Sequence, residues 1–228
     1  MIQHVFERAS RCERLNHVVI ATDDPRIADA ATRFGAPVQM TKADHPTGTD
    51  RVAEVAVSHD VDLVVNIQGD EPLIDHKAIE AAIVALQNAP NCVMSTLCRV
   101  ISDPEEVENP NVVKVVRGLS GEALYFSRYA LPFPRGLQAK RMKHVGLYVY
   151  RRDFLLQYSS MPQGDLEHAE CLEQLRALEN GYRIAVAETE YDSIGVDTPE
   201  DLERIRAGIE ARIEARIEGN ILPDGSTV

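Results

Sequence analysis

No stretch of this chain approaches the roughly eighteen consecutive apolar residues that a membrane-crossing helix requires. The opening residues, Met1-Ile2-Gln3-His4-Val5-Phe6-Glu7-Arg8, also lack the basic-then-apolar build of a secretion signal. Both absences point to the cytoplasm and away from a membrane partner. Positive charge is scarce: 24 Lys and Arg stand against 36 Asp and Glu, a formal net charge of -12. Such a surface repels polyanions and argues against nucleic-acid binding, so an anionic substrate must be held by a local group of arginines or by a metal. Neither a Gly-x-Gly-x-x-Gly run nor a Walker-type loop occurs, which leaves dinucleotide and P-loop ATPase readings without a motif. The 4 cysteines, Cys12, Cys92, Cys98 and Cys171, form no Cys-x-x-Cys pair and read as reduced structural thiols.

At 228 residues and 44% hydrophobic, the chain can bury one substantial core, and a single domain over residues 1–206 is expected. Its organising stretch is Asn66-Ile67-Gln68-Gly69-Asp70-Glu71-Pro72. The apolar run Leu63-Val64-Val65 before it is what a parallel strand buried on both faces produces. Open α/β sheets bind ligands beyond the carboxyl ends of such strands, so Gln68, Asp70 and Glu71 stand where a ligand is expected. An ordinary tight turn with a helix cap would carry the same residues.

Around that stretch, strands and helices alternate. Ile2, Val5, Phe6 and Ala9 share a helical face. Val18–Ala21 reads as a strand, followed by Thr22-Asp23-Asp24-Pro25, a cap and first turn for a helix ending near Gly35. Pro37–Thr41 is a second strand. The polar loop from Lys42 leads through Thr49, Asp50 and Arg51 into a helix carrying Val52, Val55 and Ala56. Thr49 and Asp50 read as caps, and Arg51 beside a helix amino terminus suits either an anion or the surface. Helix Ala78–Leu86, strand Val93–Val100, a charged connection at Pro104–Asn109, strand Val112–Val116 and the segment Ala123–Arg128 follow. The proline-rich Leu131–Gly136 reads as a lid or a subunit contact. In His144–Tyr150 the period of two puts His144, Gly146, Tyr148 and Tyr150 on one face, directed into a cleft or simply toward water. Leu166–Asn180 is expected to be one helix capped by Asp165, then Tyr182–Ala187 a strand. Thr198-Pro199-Glu200-Asp201 is a capping box in which Asp197 has no part, so that spare carboxylate is the natural partner of Asp70. Ile205, Ile209, Ile213 and Ile217 form a narrow stripe on a terminal helical extension with a frayed end over 207–228.

Gln68-Gly69-Asp70-Glu71-Pro72, Thr47-Gly48-Thr49-Asp50-Arg51, Asn109–Val116, Ala123–Arg128, Leu166-Glu167-His168, Glu173–Arg176 and Gly195–Leu202 stand in this order. Taken together they resemble the 3-deoxy-manno-octulosonate cytidylyltransferase family from Met1 to about Arg206. The resemblance implies a three-layer α/β, nucleotide-diphospho-sugar transferase-like (Rossmann-like) fold with a mixed, mostly parallel sheet. It implies CTP and 3-deoxy-manno-octulosonate (Kdo) as substrates, pyrophosphate release, Mg²⁺ as cofactor, a homodimer, and a role in lipopolysaccharide synthesis. Mapped onto this chain, it implies Asp70 and Asp197 as metal-holding catalytic residues with Gln68 beside them. Arg128, His144, Tyr148, Glu173 and Gln174 then contact the sugar, and Arg51 lies nearer the nucleotide phosphates. A cytidylyltransferase for an acylneuraminate, or a non-catalytic remnant, would share parts of this pattern.

One departure stands out. The family carries a strand and a Ser-x-Arg-Leu-Pro-Gly-Lys type loop ahead of the helix with which this sequence starts, about 30 residues on the scale of a βαβ unit without its second strand. In a doubly wound sheet that strand lies between those read at Val18–Ala21 and Leu63–Ile67. The expectation is a misassigned start codon or a shortened chain.

Overall fold

The structure, a computed structural model, describes residues 1–136, 140–192, 195–196 and 198–207. The elements are α1 (Ile2–Ala9), β1 (Ile20–Thr22), α2 (Pro25–Arg33), β2 (Val38–Met40), α3 (Gly48–Val57), β3 (Leu63–Asn66), α4 (His76–Gln87) and β4 (Met94–Val100), followed by α5 (Pro104–Glu108), β5 (Lys114–Arg117), β6 (Ala123–Ser127), β7 (Met142–Arg151), α6 (Arg152–Tyr158), α7 (Asp165–Glu170), α8 (Gln174–Glu179) and β8 (Ile184–Glu188). Residues 199–207 are helical. Local chemistry sets several boundaries as read from the sequence. Asp24 caps α2 by accepting the Arg26 N–H at 2.8 Å, with Pro25 in the first turn. Thr198 and Asp201 close a reciprocal box, each backbone N–H donating to the other's side chain at 3.1 Å. The charged connection at Pro104–Asn109 proves to hold a short helix, because Asp103 and Pro104 supply the same cap-and-proline start.

The main sheet has the order β6-β5-β7-β4-β8, with β3 joined to β7 as well. Strands β3, β4, β5 and β8 run one way, and β6 and β7 the other. Long β7 shares one edge between two partners: β5 pairs with its start at Met142 and Lys143, and β3 pairs with its end from Tyr148 to Arg151. Where β5 and β3 part company, the face of β7 opens, and such a divergence is where α/β sheets take their ligands. Helix α4 and α1 pack on one face around Ile79, Ile83, Leu97 and Val149. Helices α3, α6 and α8 pack on the other around Phe126, Tyr150, Leu155 and Leu175. The result is the three-layer arrangement expected.

Strands β1 and β2 form a separate parallel pair. Near the α3 amino terminus, Arg51 pairs with Asp23 just beyond β1, and the Gln68 side chain just beyond β3 lies beside Gly48. The carboxyl ends of β1 and β3 therefore lie together and the two strands run parallel, yet they share no hydrogen-bonded edge. Between them is a cavity of about 1630 Å³, lined by Val18–Ala21, by 61–69, by Ile2, Val5 and Phe6 of α1, and by Val52 and Val55 of α3. Since α1 and α3 belong to opposite faces, the cavity is a slot in the sheet layer itself, walled like a place for a strand. Sequence predicts a β3 buried on both faces. Leu63, Val64 and Val65 are instead only half-buried, because one edge faces this slot.

The single helix expected over Leu166–Asn180 is two. Cys171 adopts a left-handed conformation with φ 51°, and the chain turns so that Leu172 is buried. The break lets Glu179 of α8 fold back and accept the N–H groups of Leu166 and Glu167 at 2.9 and 3.0 Å, capping α7 from outside. Gly164, rather than Asp165, holds the N-cap position, because a Cβ there would sit 2.3 Å from the Glu179 carboxyl group. A buried two-pronged ion pair from Arg176 to Glu167 locks the two helices together.

Candidate active site

One face of β7 carries the ladder of rings expected from its period of two. His144 stacks at 5.4 Å from Tyr148, and Tyr148 at 5.9 Å from Tyr150, with Phe126 edge-on to His144 at 5.1 Å. Directly across the strand pair from Tyr148 is Asn66, so the last residue of β3 shares that face. A bulge shapes the wall behind it. Between Ser95 and Leu97 the β4–β7 register shifts, so that Thr96 alone faces the β7 segment between Val145 and Val149. The Thr96 hydroxyl lies 3.0 and 2.9 Å from the carbonyls of Val145 and Leu147, and 2.8 Å from His144 Nε2. Thr96 thus ties the His144 ring to the backbone of β7 and fixes its orientation, leaving Nδ1 outside this cluster.

Burial pushes the His144 pKa down from 6.5 to about 3, so the ring is neutral near pH 7. In the unfolded chain the same ring takes a proton below about pH 6.5. Unfolding therefore takes up one proton in this window, and the stability that His144 contributes is present above it and falls as the pH drops toward 3, by at most about 1.4 kcal/mol per pH unit. Denaturant midpoints compared at about pH 7 and pH 5 should fall less in His144→Gln than in the unsubstituted chain.

The opposite wall comes from two helix amino termini. Sequence reads Thr49 and Asp50 as caps of α3, but Thr47 is the cap, accepting the Asp50 N–H at 3.2 Å. Thr49 is thereby released and points inward, fully buried. Its hydroxyl donates to Glu173 Oε1 at 2.8 Å and lies 3.4 Å from the Tyr150 hydroxyl. Glu173 begins α8 immediately after the break at Cys171, and its main-chain carbonyl accepts from the Tyr158 hydroxyl. Desolvation raises the pKa of Glu173, against the hydrogen bonds from Thr49 and Thr47, which lower it. Desolvation also raises those of Tyr148 and Tyr150, keeping both phenols protonated as donors.

Among the described residues, the buried side-chain atoms without a hydrogen-bond partner are Asn66 Nδ2, Asp70 Oδ1, Glu173 Oε2 and Gln174 Nε2. Each such orphan costs about 1–3 kcal/mol. They belong to the end of β3, the turn after it and the start of α8, and buried polar atoms left open in this way mark these segments as candidates for holding a polar ligand. Of the residues singled out from sequence, the structure brings His144, Tyr148, Glu173 and Gln174 to this wall. Gln68 and Asp70 follow on from Asn66. Glu71 accepts from the Tyr191 hydroxyl at 3.1 Å. Asn66 and Thr49 were missed as site residues: the first reads as the end of a strand, the second as a cap.

Two predicted cations are engaged elsewhere. Arg51 pairs with Asp23 at 2.9 Å and also meets Thr41. Arg128 sends its guanidinium to the carbonyls of Glu170, Pro110 and Cys171, clamping β6 to the α7–α8 break. Asp197 lies outside the described residues, as do Ile209, Ile213 and Ile217. Val196 donates its N–H to the Asp70 carbonyl at 3.0 Å.

No cluster of three or more His, Cys, Asp or Glu side chains among the described residues is arranged to enclose a metal. Mg²⁺ needs no such cage, since it is held by one or two carboxylates plus phosphates and water. The partnerless Oδ1 of Asp70 is an oxygen donor of the required kind, so the site fits that ion.

A three-layer α/β sheet with an acidic turn beyond β3 and a wall of hydroxyl, amide and imidazole groups defines a nucleotidyltransferase type of fold and site. The family model described as cytidylyltransferase matches residues 1–184. A 3-deoxy-manno-octulosonate cytidylyltransferase of Solibacter usitatus is 60% identical over 207 residues, covering 90% of this chain and 82% of that protein. Another of the same name, from Syntrophotalea carbinolica, is 52% identical over 217 residues, covering 91% and 87%. The solved structure of a CMP:2-keto-3-deoxy-manno-octonic acid synthetase complexed with CTP superposes with a TM-score of 0.88 at 43% identity, covering 92% of this chain and 88% of that one. This chain belongs to the 3-deoxy-manno-octulosonate cytidylyltransferase family.

Proposed function

We propose that the chain couples CTP to Kdo, releasing pyrophosphate and forming CMP-Kdo, the activated sugar used in lipopolysaccharide assembly. The observation that carries this reading is the set of partnerless polar atoms on Asn66, Asp70, Glu173 and Gln174, grouped beyond β3 in a chain whose relatives bear that name. The chemistry is an in-line displacement in which the anomeric hydroxyl attacks the α-phosphorus and pyrophosphate leaves. Mg²⁺, held by Asp70 and Asp197, would neutralise charge on the transferring phosphoryl group. The chain's own groups bind and orient the acceptor. Neutral His144 offers its Nδ1, Tyr148 a phenolic proton, Glu173 a carboxylate oxygen, and Gln174 and Gln68 their amides. Arg128 holds the helix break that sets Glu173 in place, and Arg51 holds the loops beside the nucleotide end.

A cytoplasmic homodimer is part of the same reading. No described helix is long and apolar enough to cross a membrane. Exposed Leu124 on edge strand β6, with Tyr129 and Phe133 just after it, would suit a subunit contact.

Pyrophosphate release from CTP with Kdo or with an acylneuraminate as acceptor separates the two sugar classes. Turnover with Kdo alone is expected, and equal turnover with both would remove the assignment of the sugar. Tyr148→Phe should raise the Kdo concentration needed for half-maximal rate about tenfold, the value of one lost hydrogen bond, with the CTP requirement unchanged. Parallel rises for both substrates would place Tyr148 outside the sugar pocket.

A further inference from the structure

Thr49 is a buried polar residue with no structural duty as a cap, since Thr47 performs it. Its one proton goes to Glu173 Oε1, so the Tyr150 hydroxyl, 3.4 Å away, is placed to donate to Thr49 in return. The Asn66 amide reaches toward the Tyr150 hydroxyl as a long donor contact, and its Nδ2 finds no partner at close hydrogen-bond distance. The chain Asn66, Tyr150, Thr49, Glu173 thus crosses from the end of β3 over β7 to α3 and α8, joining elements far apart in sequence. Thr49 engages Oε1 of Glu173, Thr47 adds a longer contact to the same carboxylate, and Oε2 finds no partner at close hydrogen-bond distance. Asn66 and Gln174 are each 3% exposed, and each has an amide nitrogen with no acceptor at that distance.

We propose that Asn66 is a further contact to the sugar, and that Thr49 is a positioning residue which fixes Glu173 so that two amide donors and one carboxylate acceptor read neighbouring hydroxyls. This rests on the reading of the chain as a sugar cytidylyltransferase and deepens it. The donor and acceptor mix sets the ligand chemistry. A hydroxyl both donates and accepts, so it satisfies an amide and Glu173 Oε2 together. A carboxylate or phosphate satisfies the amides alone and is repelled by Glu173. The cradle therefore takes the polyol part of the acceptor, and the acidic group of the sugar binds elsewhere.

The test uses the chain with Thr49→Val, which keeps the shape, Thr49→Ser, which keeps the hydroxyl, and Asn66→Ala. Calorimetric titration with Kdo should show Thr49→Val and Asn66→Ala each binding about tenfold more weakly, with Thr49→Ser close to the unsubstituted chain and CTP affinity unchanged throughout. In a ¹³C carboxyl titration, the Glu173 resonance should move to higher pH in Thr49→Val and return in Thr49→Ser. Unaltered Kdo affinity in Thr49→Val or Asn66→Ala, failure of Ser to restore it, or an unmoved Glu173 titration overturns the respective assignment. If Thr49→Val does not fold, Thr49→Ala against Thr49→Ser gives the same comparison. Absence of Kdo binding by the unsubstituted chain overturns the sugar reading and Asn66 with it, while the Glu173 titration still decides Thr49.

Discussion

Supplying an apolar strand to the slot between β1 and β3 is expected to raise the thermal midpoint by about 10–20 °C. The slot holds about 1630 Å³ between two parallel strands, each paired on its other edge only. Alternate main-chain groups of both strands point into it, and each ladder hydrogen bond that a supplied strand makes contributes about 0.5–1.5 kcal/mol, to which burial of its apolar side chains adds. Recovering about 5 kcal/mol in this way corresponds to that midpoint shift, at about 2–4 °C per kcal/mol for a chain of this size. The strand must be apolar on both faces, because α1 lies over one side and α3 over the other. Fusing to Met1 a designed segment of one apolar strand and a connecting loop, and following unfolding by calorimetry, measures the effect. A fused chain melting within about 2 °C of the original would show that the slot is not a strand site.

Asp70→Asn is expected to lower turnover at least ~100-fold, a loss of roughly 3 kcal/mol of transition-state stabilisation. The substitution keeps the size of the side chain but removes the charge, and its oxygen is then a poor ligand for a hard divalent cation. The turn itself should survive, because Asp70 is tied into the fold through its backbone carbonyl to Val196 and not through Oδ1. Asp197→Asn should behave alike. A fall of less than threefold at saturating Mg²⁺ for either variant would remove that residue from the metal site.

What sequence could reveal of this molecule was whatever is written locally. The cap and proline at Asp24-Pro25, the box at Thr198 and Asp201, the apolar run before Asn66 and the period of two in β7 each depend on residues a few positions apart, and the structure reproduces all of them. The alternating order of strands and helices likewise fixed the three-layer class. The break at Cys171 was not legible. No glycine or proline marks it, and it forms because Leu172 must be buried while Glu179 returns to cap α7. Thr49 and Asn66 were hidden for a related reason. Their partners Glu173 and Tyr150 lie 124 and 101 positions from Thr49, and only the packing of α3 against β7 and α8 discloses what the hydroxyl is for. The bulge opposite Thr96, which brings its hydroxyl to the His144 ring, leaves no signature in either strand's sequence. Arg128, a sugar contact by resemblance, also sends its guanidinium to backbone carbonyls at the helix break, contacts that no local pattern announces.

The most direct test of the assigned chemistry is ³¹P NMR of a reaction of CTP, Kdo and Mg²⁺ with the chain carrying the strand segment described above. The expected spectrum gains pyrophosphate and one new phosphodiester signal in equal amounts, only when Kdo is present. Pyrophosphate without a matching phosphodiester, or formation of neither under conditions where both substrates bind, would contradict the transfer of a cytidylyl group to this sugar.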